Sequence, residues 1–145
     1  MKDIPKFRIE ELIRKYRGIP FRFGGLTTEG LDCIGFIYRF YTDQGVEMPE
    51  SCEEANRENY SQVYLADEDR ADELLLKYFD SFGTEVNPRD ILPGDAIIVR
   101  HNKSHHLFPA VYGGNGIAIS SFLKAEVRAF SVDKRLPVIK ARRVL

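Results

Sequence analysis

The hydrophobic pattern changes its period near Asn87, and this change constrains the fold more than any other feature of the sequence. Before it, apolar residues recur at helical spacing, as in residues 6–17 and 33–44. After it come short, often β-branched runs separated by turn residues, at 96–99, 107–112, 116–122, 126–132 and 138–144. Helices followed by a strand meander predict an α+β domain, in which N-terminal helices pack on a C-terminal, mainly antiparallel sheet of about five strands.

The size and composition of the chain fit one domain over residues 1–145. No repeat, low-complexity tract or Ser/Gly-rich linker divides the sequence, and 145 residues can close a single core. The hydrophobic content of 43% argues against disorder, and the net charge of −1 gives no footprint for nucleic-acid binding. Apolar stretches are shorter than the roughly 18 residues of a membrane span. We therefore expect neither a nucleic-acid nor a membrane partner.

The opening of the chain leaves the cellular location open. Residues 1–18 are charged throughout and lack the apolar core of a secretory signal. The expected location is therefore the cytoplasm, a phage particle or, for a trimmed secreted protein, the outside of the cell. The oligomeric state is not predicted.

Cys33 is the strongest candidate for chemistry. Asp32 is predicted to cap a helix that starts at Cys33, so the thiol lies where the helix dipole favours the thiolate. The loop before it contains Gly24 and Gly25, which let a substrate backbone approach closely and leave N–H groups free for an oxyanion. The structural alternative is a small buried hydrophobe, which is what most free cysteines are. That alternative is assigned to Cys52, which has no such loop.

The three histidines, His101, His105 and His106, lie within one six-residue window. The window forms the predicted hairpin between the first two strands of the sheet. His106 begins a strand and can face the sheet interior, and His105 should point the other way by the alternation of strand side chains. Clustered histidines also bind metals, but no HxH or CxxC spacing is present, so we predict neither a metal nor a cofactor.

Three stretches of the sequence resemble those of a known family. The string PFRFGGLTTEGLDCIGFIYRFY is similar to the nucleophile motif of the NlpC-type cysteine peptidases, which are papain-like cell-wall endopeptidases. The later ILPGDAIIV resembles the family's Pro-Gly-Asp strand entry, and VYGGNGIAIS its second hairpin. The resemblance implies a papain-like fold and the hydrolysis of an amide bond in a peptide or peptidoglycan fragment, commonly a γ-D-glutamyl bond of a stem peptide. Phage tail proteins share the motif.

The resemblance also implies roles for individual residues. A catalytic set would comprise a thiol nucleophile, a base and a polar residue that orients the base, here Cys33, His106 and Ser120. Substrate-binding positions would be Phe21, Phe23, Gly24, Gly25, Asp32 and His105.

The match departs from the family pattern at the base. Aligned without gaps, the family's histidine falls on Phe108 and its third polar residue on Ser120. His106 could serve instead if the strand is bulged near Pro109. Family members also usually have Tyr where Phe21 stands and often Ser at Ile34.

Two hypotheses follow from this pattern. The first is a cysteine hydrolase acting through a Cys33 thiolate and a His106 base. The second is a catalytically inactive module with a structural or binding role, associated with a phage tail or the cell wall.

Residues 51–80 are predicted to be helical and mostly polar. Acidic side chains concentrate in residues 51–73, and a solvated helix face is the simplest interpretation of such a charge run. A lid or a partner surface is the alternative.

Overall fold

The computed structural model describes residues 9–22, 25–49, 51–52, 55–56, 66–123 and 125–145. The helices with both ends in these ranges are α1 (Ile9–Tyr16), α2 (Cys33–Asp43) and α3 (Glu68–Asp80), with a 3-10 turn at Pro88–Asp90. The first four strands are β1 (Leu26–Thr27), β2 (Gly30–Leu31), β3 (Ser51–Cys52) and β4 (Ala55–Asn56). The remaining strands are β5 (Thr84–Val86), β6 (Ala96–Arg100), β7 (Leu107–Gly114), β8 (Ile117–Ser121), β9 (Val127–Ser131) and β10 (Val138–Arg143).

The main sheet has six strands in the order β5-β10-β6-β7-β8-β9, and every neighbouring pair is antiparallel. The prediction of helices packed on a mainly antiparallel sheet is therefore confirmed, and β6 to β10 are the five predicted strands. β5 adds a sixth strand at the edge beside β10. Its three residues are too few for their own alternation to identify them as a strand.

The prediction that residues 51–80 are helical is wrong in its first part. β3 and β4 pair with each other there and lie against α3. α3 itself begins after Asp67, whose side chain accepts a hydrogen bond from the Arg70 backbone N–H at 3.2 Å. A polar stretch of this kind shows no period of its own, so contact with α3 rather than local pattern decides its structure.

Hydrophobic residues cover both faces of the sheet. On one face, α2 contributes Phe36, Ile37 and Phe40 to a buried cluster that includes Ile98 and Val111 of the sheet. A second cluster, on the other face, is built from the alternate strand residues Ile97, Val99, Ala110, Ala118 and Ala141. Successive side chains of a strand point to opposite faces, so each strand serves both clusters.

The Pro-Gly-Asp turn before β6 is fixed by one buried carboxylate. Asp95 is buried and accepts hydrogen bonds from the Leu92 backbone N–H at 2.8 Å and from the Arg143 guanidinium at 2.9 and 3.0 Å. A buried charge requires such partners. The turn is thereby tied to β10, the strand that pairs with β6.

The loop before α2 packs directly on the first turn of the helix. A Cβ at position 35 would overlap the carbonyl oxygen of Gly25 and would lie 2.9 Å from the Asp32 carboxylate. Only a glycine at position 35 lets the loop approach this closely. The same glycine donates its N–H to Asp32, so the loop, the cap and the helix form one unit.

Replacing Gly35 by Ala should therefore destabilise the protein by about 1–3 kcal/mol, because the new methyl group meets backbone that has no room to move. The measurement is the free energy of unfolding from chemical denaturation. Thr42→Ala on the exposed side of the same helix is the control, with an expected change within about 0.5 kcal/mol. Equal stability of Gly35→Ala and the wild type would contradict the close packing of this loop.

Candidate active site

Cys33 is the first residue of α2 and is half-buried. The residue before it, Asp32, has an extended backbone and accepts a hydrogen bond from the Gly35 N–H at 2.6 Å through its side chain. The predicted N-cap is confirmed. The Asp32 carboxylate is 1% exposed and binds its own helix, so its predicted contact with substrate stays a prediction.

The start of α2 is fastened to the end of β8. The Ser121 hydroxyl donates to the Leu31 carbonyl at 2.6 Å, and both residues are buried. The Leu31 N–H donates to the carbonyl of Pro20 at 3.0 Å. Cys33, two residues after Leu31, is thereby held at the end of the sheet where β8 finishes.

His106 lies at the same end of the sheet. It directly precedes β7, which pairs with β8 in the antiparallel sense, so the start of β7 and the end of β8 are close in space. The Ser120 hydroxyl crosses between these two strands and donates to the Pro109 carbonyl at 2.7 Å. The structure thus brings Cys33 and His106 to one end of the sheet.

The His106 ring is bound on both sides by carboxylates of α3. Its Nδ1 lies 2.9 Å from Asp72 Oδ2, and its Nε2 lies 2.9 Å from Glu68 Oε2. Asp69 is farther away, with Oδ1 3.9 Å from Nδ1. Ionised carboxylates only accept hydrogen bonds, so both ring nitrogens donate and the ring is an imidazolium in this arrangement.

The hydrogen bond that the His106 ring donates to Asp72 is the main cause that raises the pKa of His106 above its ordinary value of 6.5. Burial of the ring acts in the opposite direction, and the charges of Asp72, Glu68 and Asp69 add to the increase. Protonated His106 therefore links the hairpin to α3. The Leu107 N–H strengthens this link by donating to Asp72 Oδ1 at 3.1 Å.

The backbone of His105 explains how His106 reaches α3. His105 has a positive φ of 62° and is exposed, which interrupts the alternation of side chains that a strand would impose. The hairpin is closed by hydrogen bonds from His101 N–H to the His106 carbonyl and from His105 N–H to the His101 carbonyl. The predicted opposite orientation of His105 rested on strand alternation, which does not apply here because His105 lies outside β7.

The bulge suggested near Pro109 is wrong. Against β6, β7 keeps a continuous register from Ala96↔Val111 to Arg100↔Leu107, and the register shift of β7 lies between Tyr112 and Gly114, on its β8 side. The positive φ of His105, rather than a bulge, turns the imidazole. This turn depends on the hairpin closing and has no signature in strand periodicity.

Phe108 and Ser120, which align with the family's histidine and third polar residue, have other partners in the structure. Phe108 packs with Phe122 and Phe130, at ring-centroid distances of 5.7 and 5.5 Å, as part of the cluster on the sheet face opposite the helices. Ser120 is fully buried, and its hydroxyl binds Pro109. Ser120 was predicted to orient the His106 ring, but the ring nitrogen Nδ1 lies 2.9 Å from Asp72 Oδ2.

Sequence reasoning missed Asp72 and Glu68, because the acidic run was interpreted as a solvated helix face. The sequence did contain one signal for them, which is their spacing. The two residues are four apart, so they share one face of α3 and can reach one partner together. Neither spacing nor charge identifies that partner, since His106 lies 34 residues beyond Asp72.

Other predicted site residues lie in the loop before α2. Phe21 is half-buried, and its N–H donates to the Ala125 carbonyl at 2.9 Å, which ties the loop to the approach to β9. Gly25 donates to the Arg22 carbonyl at 2.9 Å. Phe23 and Gly24 lie outside the described residues. The substrate-binding roles of these four residues stay predictions.

In the described part of the chain, Asp69, Asp72 and His106 form a group of potential metal ligands, with their ligand atoms within 4.8 Å of one another. His106 and Asp72 already bind each other there, and we assign no metal to the group. Among the described helices, none has the length and apolar character needed to cross a membrane.

Together, the helix-borne cysteine and the antiparallel sheet define a papain-like fold of the NlpC/P60 type. The NlpC/P60 family profile matches residues 18–140, and the chain belongs to this family. The Probable endopeptidase NlpC of Escherichia coli K12 is 24% identical over 127 residues, which are 86% of this chain and 67% of that protein. The E. coli K12 Murein DD-endopeptidase MepS/Murein LD-carboxypeptidase is 40% identical over 47 residues, 32% of this chain and 25% of its own length.

Solved structures share the fold at lower identity. An NlpC/P60 family protein from Bacillus cereus has a TM-score of 0.64 at 20% identity and covers 99% of this chain, which spans 41% of that one. The NlpC/p60 domain of the peptidoglycan hydrolase SagA has a TM-score of 0.59 at 20% identity and covers 99% of this chain and 100% of that one. RipD of Mycobacterium tuberculosis has a TM-score of 0.57 at 18% identity, with full coverage of both chains. RipD is described as a non-catalytic NlpC/p60 domain protein adapted to peptidoglycan binding.

These comparisons place the chain among relatives that include peptidoglycan hydrolases and endopeptidases. They give no support to the phage-tail association that the motif suggested. The chain also spans only about two thirds of the NlpC relative and a quarter of the second one.

The raised pKa of His106 predicts how stability depends on pH. A histidine whose pKa is raised in the folded state stabilises the fold. This contribution is fully present at a pH below the pKa of the unfolded state, and it is lost as the pH rises through the pKa of the folded state. The free energy of unfolding should therefore fall as the pH rises from about 6.5, the pKa of His106 in the unfolded chain, through its higher pKa in the folded protein.

The control for this pH dependence is a second histidine of the same hairpin. His106→Gln should flatten the fall in this pH range, whereas His105→Asn, which tolerates the positive φ, should keep it. The measurement is denaturant unfolding at a series of pH values. A wild-type curve as flat as that of His106→Gln would refute the ion-pair arrangement.

Proposed function

We propose that this chain is a cysteine hydrolase that cleaves an amide bond in peptidoglycan stem peptides, with Cys33 as the nucleophile and His106 as the base. The observation that carries the proposal is the position of Cys33 at the capped start of α2, at the sheet end where His106 precedes β7. The printed functions of the NlpC, MepS and SagA relatives support the substrate class.

The proposed reaction follows from the groups at this end of the sheet. His106 takes the proton of the Cys33 thiol, and the thiolate attacks the amide carbon. Backbone N–H groups at the start of α2, including that of Cys33, stabilise the oxyanion. The protonated His106 then gives its proton to the leaving amine, and water hydrolyses the acyl-enzyme.

Removal of the nucleophile tests the reaction. Cys33→Ala should lower the cleavage of purified muropeptides by about 10³-fold or more, because no covalent intermediate can form. The products are measured by liquid chromatography and mass spectrometry, and circular dichroism checks the fold. Cys52→Ala is the matched control and should retain wild-type turnover. Full turnover by Cys33→Ala would overturn the proposed mechanism.

A second candidate function is a peptidoglycan-binding module without hydrolysis. The observation that favours it is Phe108, an aromatic residue packed among two others at the position that aligns with the family's histidine. RipD, a relative in fold, is described as such a protein. This module would bind muropeptides and leave them intact.

Thiol reactivity separates the two candidates without a substrate. In a hydrolase, the thiolate character of Cys33 should make its alkylation by iodoacetamide at neutral pH about tenfold or more faster than that of Cys52. The rates are measured by mass spectrometry of labelled peptides. Equal rates, together with muropeptide binding and no cleavage, would favour the binding module.

A further inference from the structure

We propose that Asp72 is the positioning residue of the His106 base and that Glu68 masks its second ring nitrogen in the resting state, so that deprotonation of His106 opens the site. This inference deepens the proposed hydrolase function and rests on it. It gives Asp72 the role that the sequence predicted for Ser120. It also gives part of the acidic run on α3 a function.

Asp72 is the fixed partner of the imidazole. Its side chain is 17% exposed and holds two neighbours at once, His106 Nδ1 through Oδ2 and the Leu107 N–H through Oδ1. A carboxylate bound at both oxygens has little freedom to turn. It therefore fixes the orientation of the ring and keeps the proton on Nδ1 when the ring is neutral.

Glu68 is the releasable partner. Its side chain is 49% exposed, one helical turn before Asp72, and its Oε2 contacts Nε2. A side chain this exposed can turn into solvent. Asp69, between the two, is 91% exposed and lies farther from the ring. The hairpin's own His101, Lys103 and His105 are exposed.

The proton count links the release of Glu68 to the state of the ring. An imidazolium donates to both carboxylates. When the ring loses one proton to solvent, the hydrogen bond to Asp72 keeps the remaining proton on Nδ1. The deprotonated Nε2 then carries a lone pair that faces the Glu68 carboxylate. Two acceptors repel each other, so Glu68 turns away. The exposed Nε2 can then accept the Cys33 proton and later pass it to the leaving amine.

The tautomer of His106 tests the positioning role without any turnover. In the ¹⁵N-labelled full chain, imidazole NMR of the neutral ring should show the proton on Nδ1. Asp72→Asn can still accept from the Leu107 N–H, but its amide N–H₂ faces Nδ1, so the proton should move to Nε2. Asp72→Glu is the conservative variant and should restore the Nδ1 proton. A neutral wild-type ring with its proton on Nε2 would overturn the inference.

Kinetics then test the consequence for the base. Asp72→Asn should lower kcat by about 10³- to 10⁴-fold with KM changed by no more than about threefold, since the wrong tautomer cannot take the thiol proton. Asp72→Glu should regain a measurable part of this loss. An unchanged kcat in Asp72→Asn would contradict the positioning role.

The masking role of Glu68 has its own readout. Glu68→Gln removes one negative charge from the ring, so the acid limb of the kcat/KM pH profile should move to lower pH. Asp69→Asn, its neighbour, is the matched control and should move the limb less. Equal movement in the two variants, or none, would refute the masking role.

Failure of this inference can be told from failure of the proposed function. A wrong tautomer in a chain that cleaves muropeptides through Cys33 overturns the roles of Asp72 and Glu68 alone. The expected tautomer in a chain that cleaves nothing overturns the hydrolase function, and with it the His106 base.

Discussion

The buried start of α2 is the constraint on which the site depends. The Asp32 carboxylate satisfies a backbone N–H of the first turn, the missing side chain of Gly35 admits the preceding loop, and the Leu31 carbonyl accepts the Ser121 hydroxyl. Each hydrogen bond contributes only about 1 kcal/mol. Both hydrogen bonds are buried, however, so the loss of either leaves a polar group without a partner and away from water, and the position of Cys33 against β8 is set firmly.

The second constraint joins two parts of the chain that have no relation in sequence. α3 offers Glu68 and Asp72 on one face, and the hairpin offers His106 and the backbone N–H of Leu107. The ion pairs hold the hairpin against the helix only while His106 carries its charge. Structure and protonation are therefore coupled at the sheet end that also holds Cys33, which connects the stability of this region to its proposed chemistry.

The placement of Cys33 at a capped helix start could be predicted from the sequence, whereas the carboxylates that bind His106 could not, for a physical reason. Asp32 and Gly35 act on Cys33 within three residues, so a cap and a glycine suffice to place the thiol. His106 is oriented by Asp72 across 34 residues, after a backbone turn at His105 that strand alternation does not describe. The family alignment placed the histidine at Phe108 and the third polar residue at Ser120. In the structure, Phe108 packs against other aromatic rings, and the Ser120 hydroxyl donates a hydrogen bond to the neighbouring strand.

The sequence by itself determined the helix that carries Cys33, its Asp32 cap, the five longer strands and the order of helices before sheet. These features arise from hydrogen bonds and side-chain alternation within a few residues, so they do not depend on which distant segments of the chain meet. Tertiary structure alone decided the edge strand β5, the β3–β4 pair and the carboxylates around His106. Those depend on which distant segments meet, because a short strand or a charged side chain takes its role from the partner that packing brings to it.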